Sequence, residues 1–357
     1  MSAPRGQEAG GQALDLVPVV RVNDQLVPLR REAGAAPPSS TGGTPASAGF
    51  PIPAGSPTGN VVPALSRPAG PTLPFQLVFE AQLALARAGF SPGPLDGTLG
   101  SQTRAAMRAF YTRLGERMPA ESNALARIAA TLAPPATTTR VITSEDLARL
   151  LPLGRTWLEK SQQERLDFES VLELVAEQSW SHPDLIRRLN VGVDWSAVAP
   201  GTALIVPAVE PPQVAGKAAF VQVLLGARAL RAFDDQTNLL AHFPCSIARQ
   251  VEKRPVGERL EVTVVIANPN YTFDPATFPE SAEARALDRK LILQPGPNNP
   301  VGTVWIGLSK PGYGIHGTPR PEEVGRTESH GCFRLANWNA EHLARLVGIG
   351  LPVLVEP

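Results

Sequence analysis

From about residue 215 to the end, apolar positions come in short β-branched or alternating runs. "AFVQVLL", "RLEVTVVIA", "KLILQ", "TVWIGL" and "LPVLVEP" are separated by Pro, Gly and Asn turns, and each predicts a strand. One stretch changes period. "NWNAEHLARLVGIG" puts Leu343, Leu346 and Val347 on one helical face, with Gly348 placed as the C-cap. Strands interrupted by one late helix predict a mainly β domain of the sandwich or barrel type.

Upstream the spacing is helical. Residues 75–118 carry helical periodicity on both sides of a Gly/Pro/Asp turn, with Leu83, Leu95, Met107 and Phe110 as predicted core. Residues 143–207 predict a second helical module. Proline pairs in "LAPPATTTR" and "VPAVEPPQVAGK" bias their neighbours away from helix and mark boundaries. Residues 31–74 are dominated by Pro, Gly, Ala, Ser and Thr, too little apolar area to offset ordering entropy. Just before them, "LDLVPVVRVNDQLVPLR" alternates briefly and predicts an edge strand or hairpin. The expected division is a low-complexity arm at 1–74, a helical module at 75–118, a linker at 119–142, a helical module at 143–207 and the β domain at 215–357.

Charge narrows the function classes. Lys plus Arg and Asp plus Glu number 33 each, so nothing supports a nucleic-acid footprint, which needs a basic excess. No run approaches eighteen apolar residues, so no transmembrane segment is expected. Two cysteines, Cys245 and Cys332, cannot make a disulfide framework. The opening "MSAPRGQEAG" lacks the apolar core of a secretory signal.

Chemistry concentrates in "IHGTPRPEEVGRTESHGCFRL", residues 315–335, which holds two of the five histidines and one of the two cysteines. A cysteine attacks only as its thiolate and needs a base or a positive charge nearby. His316 reaches Cys332 if the strand of "YGIHG" runs beside the turn of "SHGC". His330 shares a face with Cys332 if the segment is extended. Gly331 permits a tight turn that aims successive N–H groups at one oxyanion; losing one such donor typically costs about 10²–10³ in rate. Two other readings stay open on spacing alone. Cys332 can be a small packed side chain, and His316, His330 and Cys332 are all zinc-ligand types, although no fourth donor pattern accompanies them. Cys245, in "HFPCSIARQ", reads as packing, and His182, His242 and His342 as ordinary core or surface residues.

The stretch from "PGPNNPVGTVWIGL" through "SHGCFRLANWNAEHLARLVGIGLPVLV" resembles the catalytic domain of L,D-transpeptidases, and the resemblance extends back to about residue 215. It implies Cys332 as nucleophile and His316 as general base. It further implies the Gly317 carbonyl as the group orienting His316, and His330 and Gly331 on the oxyanion side. Arg334 and Ser329 are implied as turn or substrate-binding residues. Tyr271 and Phe273, in "NPNYTFDP", are read from the residues alone either as part of a loop over the cleft or equally as core anchors. The implied reaction is peptidoglycan transpeptidation through a Cys thioester. The D-Ala of a tetrapeptide stem leaves and an amine, or in hydrolytic relatives water, accepts. No cofactor is implied, carbapenems are the implied inhibitors, and the substrate implies a periplasmic or wall-facing location, with the arm as a tether. A non-catalytic wall-binding scaffold is the alternative of another class.

The two helical modules carry weaker resemblances. "GPLDGTLGSQTRAAMRAF" is similar to a peptidoglycan-binding three-helix module, through Gly93, Asp96, Gly97, Gly100 and Thr103. Asp96 and Thr103 are expected to cap turns and helices. Residues 168–207 look similar to a LysM-type carbohydrate-binding repeat, without the usual Gly-Asp-Thr opening.

Overall fold

A computed structural model describes residues 19–22, 25–28, 74–213, 216–278, 280–327, 329 and 331–357. In chain order, β1 (Val19–Val22) and β2 (Gln25–Pro28) form the antiparallel hairpin that the short alternation predicts. Three helices follow: α1 (Phe75–Arg87), α2 (Ser101–Arg113) and α3 (Glu121–Ala129). Leu83, Leu95 and Met107 are fully buried there, and Phe110 packs at the edge of the core. Gln82 donates from Nε2 to Asp96 Oδ1 at 2.8 Å and to Thr103 Oγ1 at 3.1 Å, so those two residues hold the turn.

The stretch 119–142, expected as a linker, contains α3 and β3 (Thr137–Val141). Alternation is weak there, so the sequence offers no periodic signal. Leu125 and Ile128 nevertheless bury completely against α1 and α2, as the one apolar stripe of a short helix must. β3 pairs antiparallel with β4 (Ala203–Pro207), from Thr137↔Pro207 to Val141↔Ala203. Between them lie α4 (Ser144–Ala148), α5 (Trp157–Ser161), α6 (Val171–Gln178) and α7 (Pro183–Leu189). Ile142, Leu174, Val175, Ile186 and Leu204 are the dry centre of this second unit.

The C-terminal domain contributes β5 (Phe220–Leu224), β6 (Ala229–Phe233), β7 (Leu239–Pro244), β8 (Arg259–Ala267) and β9 (Tyr271–Phe273). Then come α8 (Ala282–Ala286), β10 (Leu291–Leu293), β11 (Val304–Leu308), β12 (Gly314–His316), β13 (Phe333–Arg334), α9 (Asn337–Leu346) and β14 (Pro352–Glu356). Eight strands form one sheet in the order β13-β12-β11-β8-β14-β5-β6-β7, and β9 and β10 form a separate ribbon. Alternation decides the faces. Val221, Val223, Leu230, Ala232, Leu260, Val262, Val304, Ile306, Ile315, Phe333, Val353 and Val355 point inward. These side chains, drawn from nearly the whole width of the sheet, meet Leu343 and Leu346 of α9 in one core, so the sheet curls over the helix. α9 ends differently from the expectation. Val347 closes it in an extended conformation, and Gly350, not Gly348, takes the positive φ of +83°.

Both helical units dock on this domain. Ser91 N–H donates to His242 O at 2.8 Å and His242 N–H to Gly89 O at 3.1 Å, which prolongs the sheet past its edge strand β7. On the other side, Leu166 N–H donates to Pro295 O and Asn298 N–H to Leu166 O, both at 3.0 Å. Among the described residues no helix is long and apolar enough to cross a membrane.

Candidate active site

The site is built by a parallel pairing. Ile315 lies opposite Phe333 and His316 opposite Arg334, on strands β12 and β13. Because Ile315 and Phe333 face the core, His316 and Arg334 face outward. Continuing the register by one residue sets Cys332 beside Gly314 on that same outer face. Sixteen residues of chain separate His316 from Cys332, and the pairing brings both side chains to one edge of the sheet.

His316 is buried, and its Nδ1 sits 2.6 Å from the Gly317 carbonyl oxygen. A carbonyl can only accept, so Nδ1 carries the proton and Nε2 keeps its lone pair. Trp305, directly across the β11–β12 pair, stacks on the ring at 5.6 Å with 23° between planes. Burial, helped by the Arg334 charge, lowers the imidazole to about 4. It is neutral at pH 7 and competent as a base.

The sulfur of Cys332 lies 3.5 Å from Gly312 O, to which the thiol donates. Burial pushes the thiol up to about 11, while the Gly314 amide and then Arg334 pull in the other direction. The side chain keeps some accessible surface, so water relieves part of that upward push. The direction stands: the resting pair is a thiol beside a neutral imidazole. Sequence reasoning, which looked for a thiolate held ionised, had no access to the burial that reverses this. The sulfur points toward Gly312 and Gly314, and the bare Cα of Gly314 leaves room for the Trp305 ring. A Cβ there would lie 2.5 Å from the Trp305 ring.

Ser329, named as a turn or substrate residue, is buried, and its hydroxyl donates to Cys332 O at 2.5 Å. Its backbone is tied on both sides, Ser329 N–H to Ile247 O at 2.8 Å and Arg249 N–H to Ser329 O at 2.9 Å. Gly331 N–H donates to Ser329 Oγ at 3.3 Å within the loop. His330 lies outside the described residues. Arg334 is anchored by its backbone, which exchanges two 3.0 Å hydrogen bonds with Ser246. Its guanidinium faces Cys332, Glu323 and Tyr271.

Tyr271 lies on strand β9 and not on a loop. Burial pushes its phenol up to about 12, and Cys332 and Arg334 both act on it electrostatically. It belongs to the β9–β10 ribbon, which the second helical unit holds in place. Trp157 stacks on Phe273 at 4.2 Å and 15° and touches Tyr271 at 6.2 Å. Cys245 is fully buried and its thiol is pushed up to about 12, an inert packing residue. Among the described residues no three His, Cys, Asp or Glu side chains are grouped to hold a metal.

Two residues packed against His316 and Gly317 escaped sequence reasoning. Trp305 was recoverable: alternation in "TVWIGL" places it opposite Val304 and Ile306, on the outer face. Asn337, buried at the first turn of α9, had no sequence signal.

Residues 218–355 match the family model described as "YkuD: L,D-transpeptidase catalytic domain", and residues 76–115 match "Putative peptidoglycan binding domain". A "Putative L,D-transpeptidase YkuD" of Bacillus licheniformis is 27% identical over 186 residues, 52% of this chain and 93% of the relative. A "Putative L,D-transpeptidase YqjB" of Bacillus subtilis is 37% identical over 107 residues; the match spans 28% of this chain and about half, 51%, of that relative. Among solved structures, L,D-transpeptidase 3 of Mycobacterium tuberculosis is 15% identical, covering 45% of this chain and 76% of its own at a TM-score of 0.31. Residues 218–355 are thus similar to L,D-transpeptidase catalytic domains of the YkuD family, and residues 76–115 to a putative peptidoglycan-binding domain.

Proposed function

We propose that this chain is a peptidoglycan L,D-transpeptidase that works through a thioester on Cys332. The observation that carries the reading is the placement of Cys332 and His316 on one face of paired strands, with the ring of His316 fixed through Nδ1. As the sulfur attacks the carbonyl before the terminal D-Ala of a tetrapeptide stem, Nε2 takes the thiol proton. The C–N bond breaks, the proton passes to the leaving amine of D-Ala, and the acyl group stays on sulfur. An amine then attacks the thioester, His316 accepts its proton, and the sulfur departs, recovering that proton as the thiol. Starting from a neutral pair, the enzyme separates charge only while the substrate is bound. The family resemblance supports the donor, and the electrostatic coupling of Arg334 and Tyr271 to Cys332 supports them as residues that meet it.

The peptidoglycan-binding unit places the catalytic face at the glycan. The β3–β4 pair with its intervening helices supports a second, LysM-like carrier for glycan. These activities act on the wall side of the membrane, where the chain is proposed to work, and carbapenems are expected to acylate Cys332. Incubation with purified disaccharide-tetrapeptide tests the reaction by mass spectrometry. A 3→3 cross-linked dimer is expected. Tripeptide alone would assign water as the acceptor, and unchanged substrate would refute the activity.

A further inference from the structure

The base is held by Gly317, and Gly317 is itself held. Its N–H donates to Val304 O at 3.2 Å, and its Cα lies against the carboxamide of Asn337. A Cβ on Gly317 would come within 2.1 Å of Asn337 Oδ1, and one on Gly302 closer still, so the carboxamide is wedged between two glycines. Its hydrogen bonds admit one orientation. Oδ1 accepts from Thr303 N–H at 3.2 Å, while Nδ2 donates to Pro297 O at 3.2 Å and to Glu177 Oε1 at 2.8 Å. A flipped amide would turn its oxygen toward two acceptors.

Glu177 does not belong to the catalytic domain. It is on α6 of the second helical unit, between two clefts of about 430 and 420 Å³ that run along the junction. Glu173, Glu322 and Glu341 surround it. Desolvation, against the pull of the Asn337 hydrogen bond, pushes its carboxyl up to about 8. Near neutral pH it is mostly a neutral group, so what it gives Asn337 is a fixed acceptor more than a charge.

We propose that Glu177 and Asn337 are positioning residues for His316. Glu177 fixes the carboxamide of Asn337, the carboxamide backs the Gly317 peptide, and the Gly317 carbonyl selects the Nδ1–H tautomer of the base. The second helical unit is thereby part of the catalytic apparatus, since its undocking removes the acceptor that orients Asn337. This rests on the reading of His316 as the base.

The test uses the full chain and the variants Glu177→Ala, Glu177→Gln and Asn337→Ala. Ring ¹⁵N resonances at pH 7 report the tautomer of His316 without any substrate, and steady-state kinetics on the tetrapeptide report kcat and KM. In the wild-type protein the ring is expected as a single Nδ1–H tautomer. Glu177→Ala is expected to mix the tautomers and lower kcat on the order of 10–100-fold with KM within about twofold, as small misplacements of catalytic groups do. Glu177→Gln keeps the acceptor and is expected to retain both tautomer and kcat. Unchanged tautomer and kcat in Glu177→Ala, or equal losses in Glu177→Ala and Glu177→Gln, would overturn the proposal. A wild-type ring that is not Nδ1–H would instead undermine the assignment of the base. Thermal melts accompany each variant. A lowered melting temperature with tautomer and kcat intact would reduce Glu177 to interface packing and overturn the positioning role.

Discussion

Titration of Cys332 separates a neutral resting pair from a preformed ion pair. An unperturbed thiol near pKa 9 is about 1% ionised at pH 7, and one raised to about 11 is about 0.01% ionised. Since Cys332 retains some contact with water, the loss of thiolate is expected to lie between about tenfold and a hundredfold. The assay is absorbance at 240 nm across pH 5–11, corrected with Cys332→Ser. Cys245 does not interfere below pH 11, because it is buried and pushed up to about 12. Alkylation by iodoacetamide should follow, with a second-order rate that climbs about tenfold per pH unit beyond pH 9. Thiolate absorbance already present at pH 7 and abolished by His316→Ala would refute the neutral pair.

Stability should fall in acid through the buried histidines. His242, His316 and His342 are lowered to about 3, 4 and 4, each mainly by burial, so below pH 6.5 the unfolded chain binds protons that the native one refuses. Stability is then lost as pH falls from about 6.5 toward 4, by up to about 1.4 kcal/mol per unit for each group, readable by urea denaturation. Glu177 acts with the opposite sign: its raised folded pKa makes stability fall as pH rises from about 4.5 to 8, and Glu177→Gln should remove that slope. Gly317→Ala forces a Cβ against Asn337 Oδ1 and should cost about 1–3 kcal/mol in thermal unfolding, with loss of turnover. Trp157→Ala removes the stack on Phe273 and should cost roughly 2–3 kcal/mol. That is below the range for a fully buried Trp, and faster proteolysis within residues 274–290 should accompany it.

Much of the site was legible because its chemistry is local in sequence. His316, Gly317, Ser329 and Cys332 lie within eighteen residues of one another, and the alternation of "YGIHG" and "CFR" foretells their faces. What escaped came from distant chain segments. Glu177 lies 160 residues from Asn337, and no periodic pattern links an exposed-looking position on α6 to the first turn of α9. The strand β6 was missed because its run is short and its outward position holds Arg231, yet β5 and β7 pair it on both sides. The protonation of the thiol was illegible for a further reason. It depends on desolvation, which exists only once the chain has folded around the strand pair.

The central claim is that Cys332 accepts the acyl group of the stem peptide. Intact-protein mass spectrometry of the full chain, quenched in acid after mixing with disaccharide-tetrapeptide, tests it directly. An adduct equal to the substrate less one D-Ala, mapped by peptide sequencing to Cys332 and missing from Cys332→Ala, is the expected result. The same adduct on Cys245, or turnover that persists in Cys332→Ala, would contradict it.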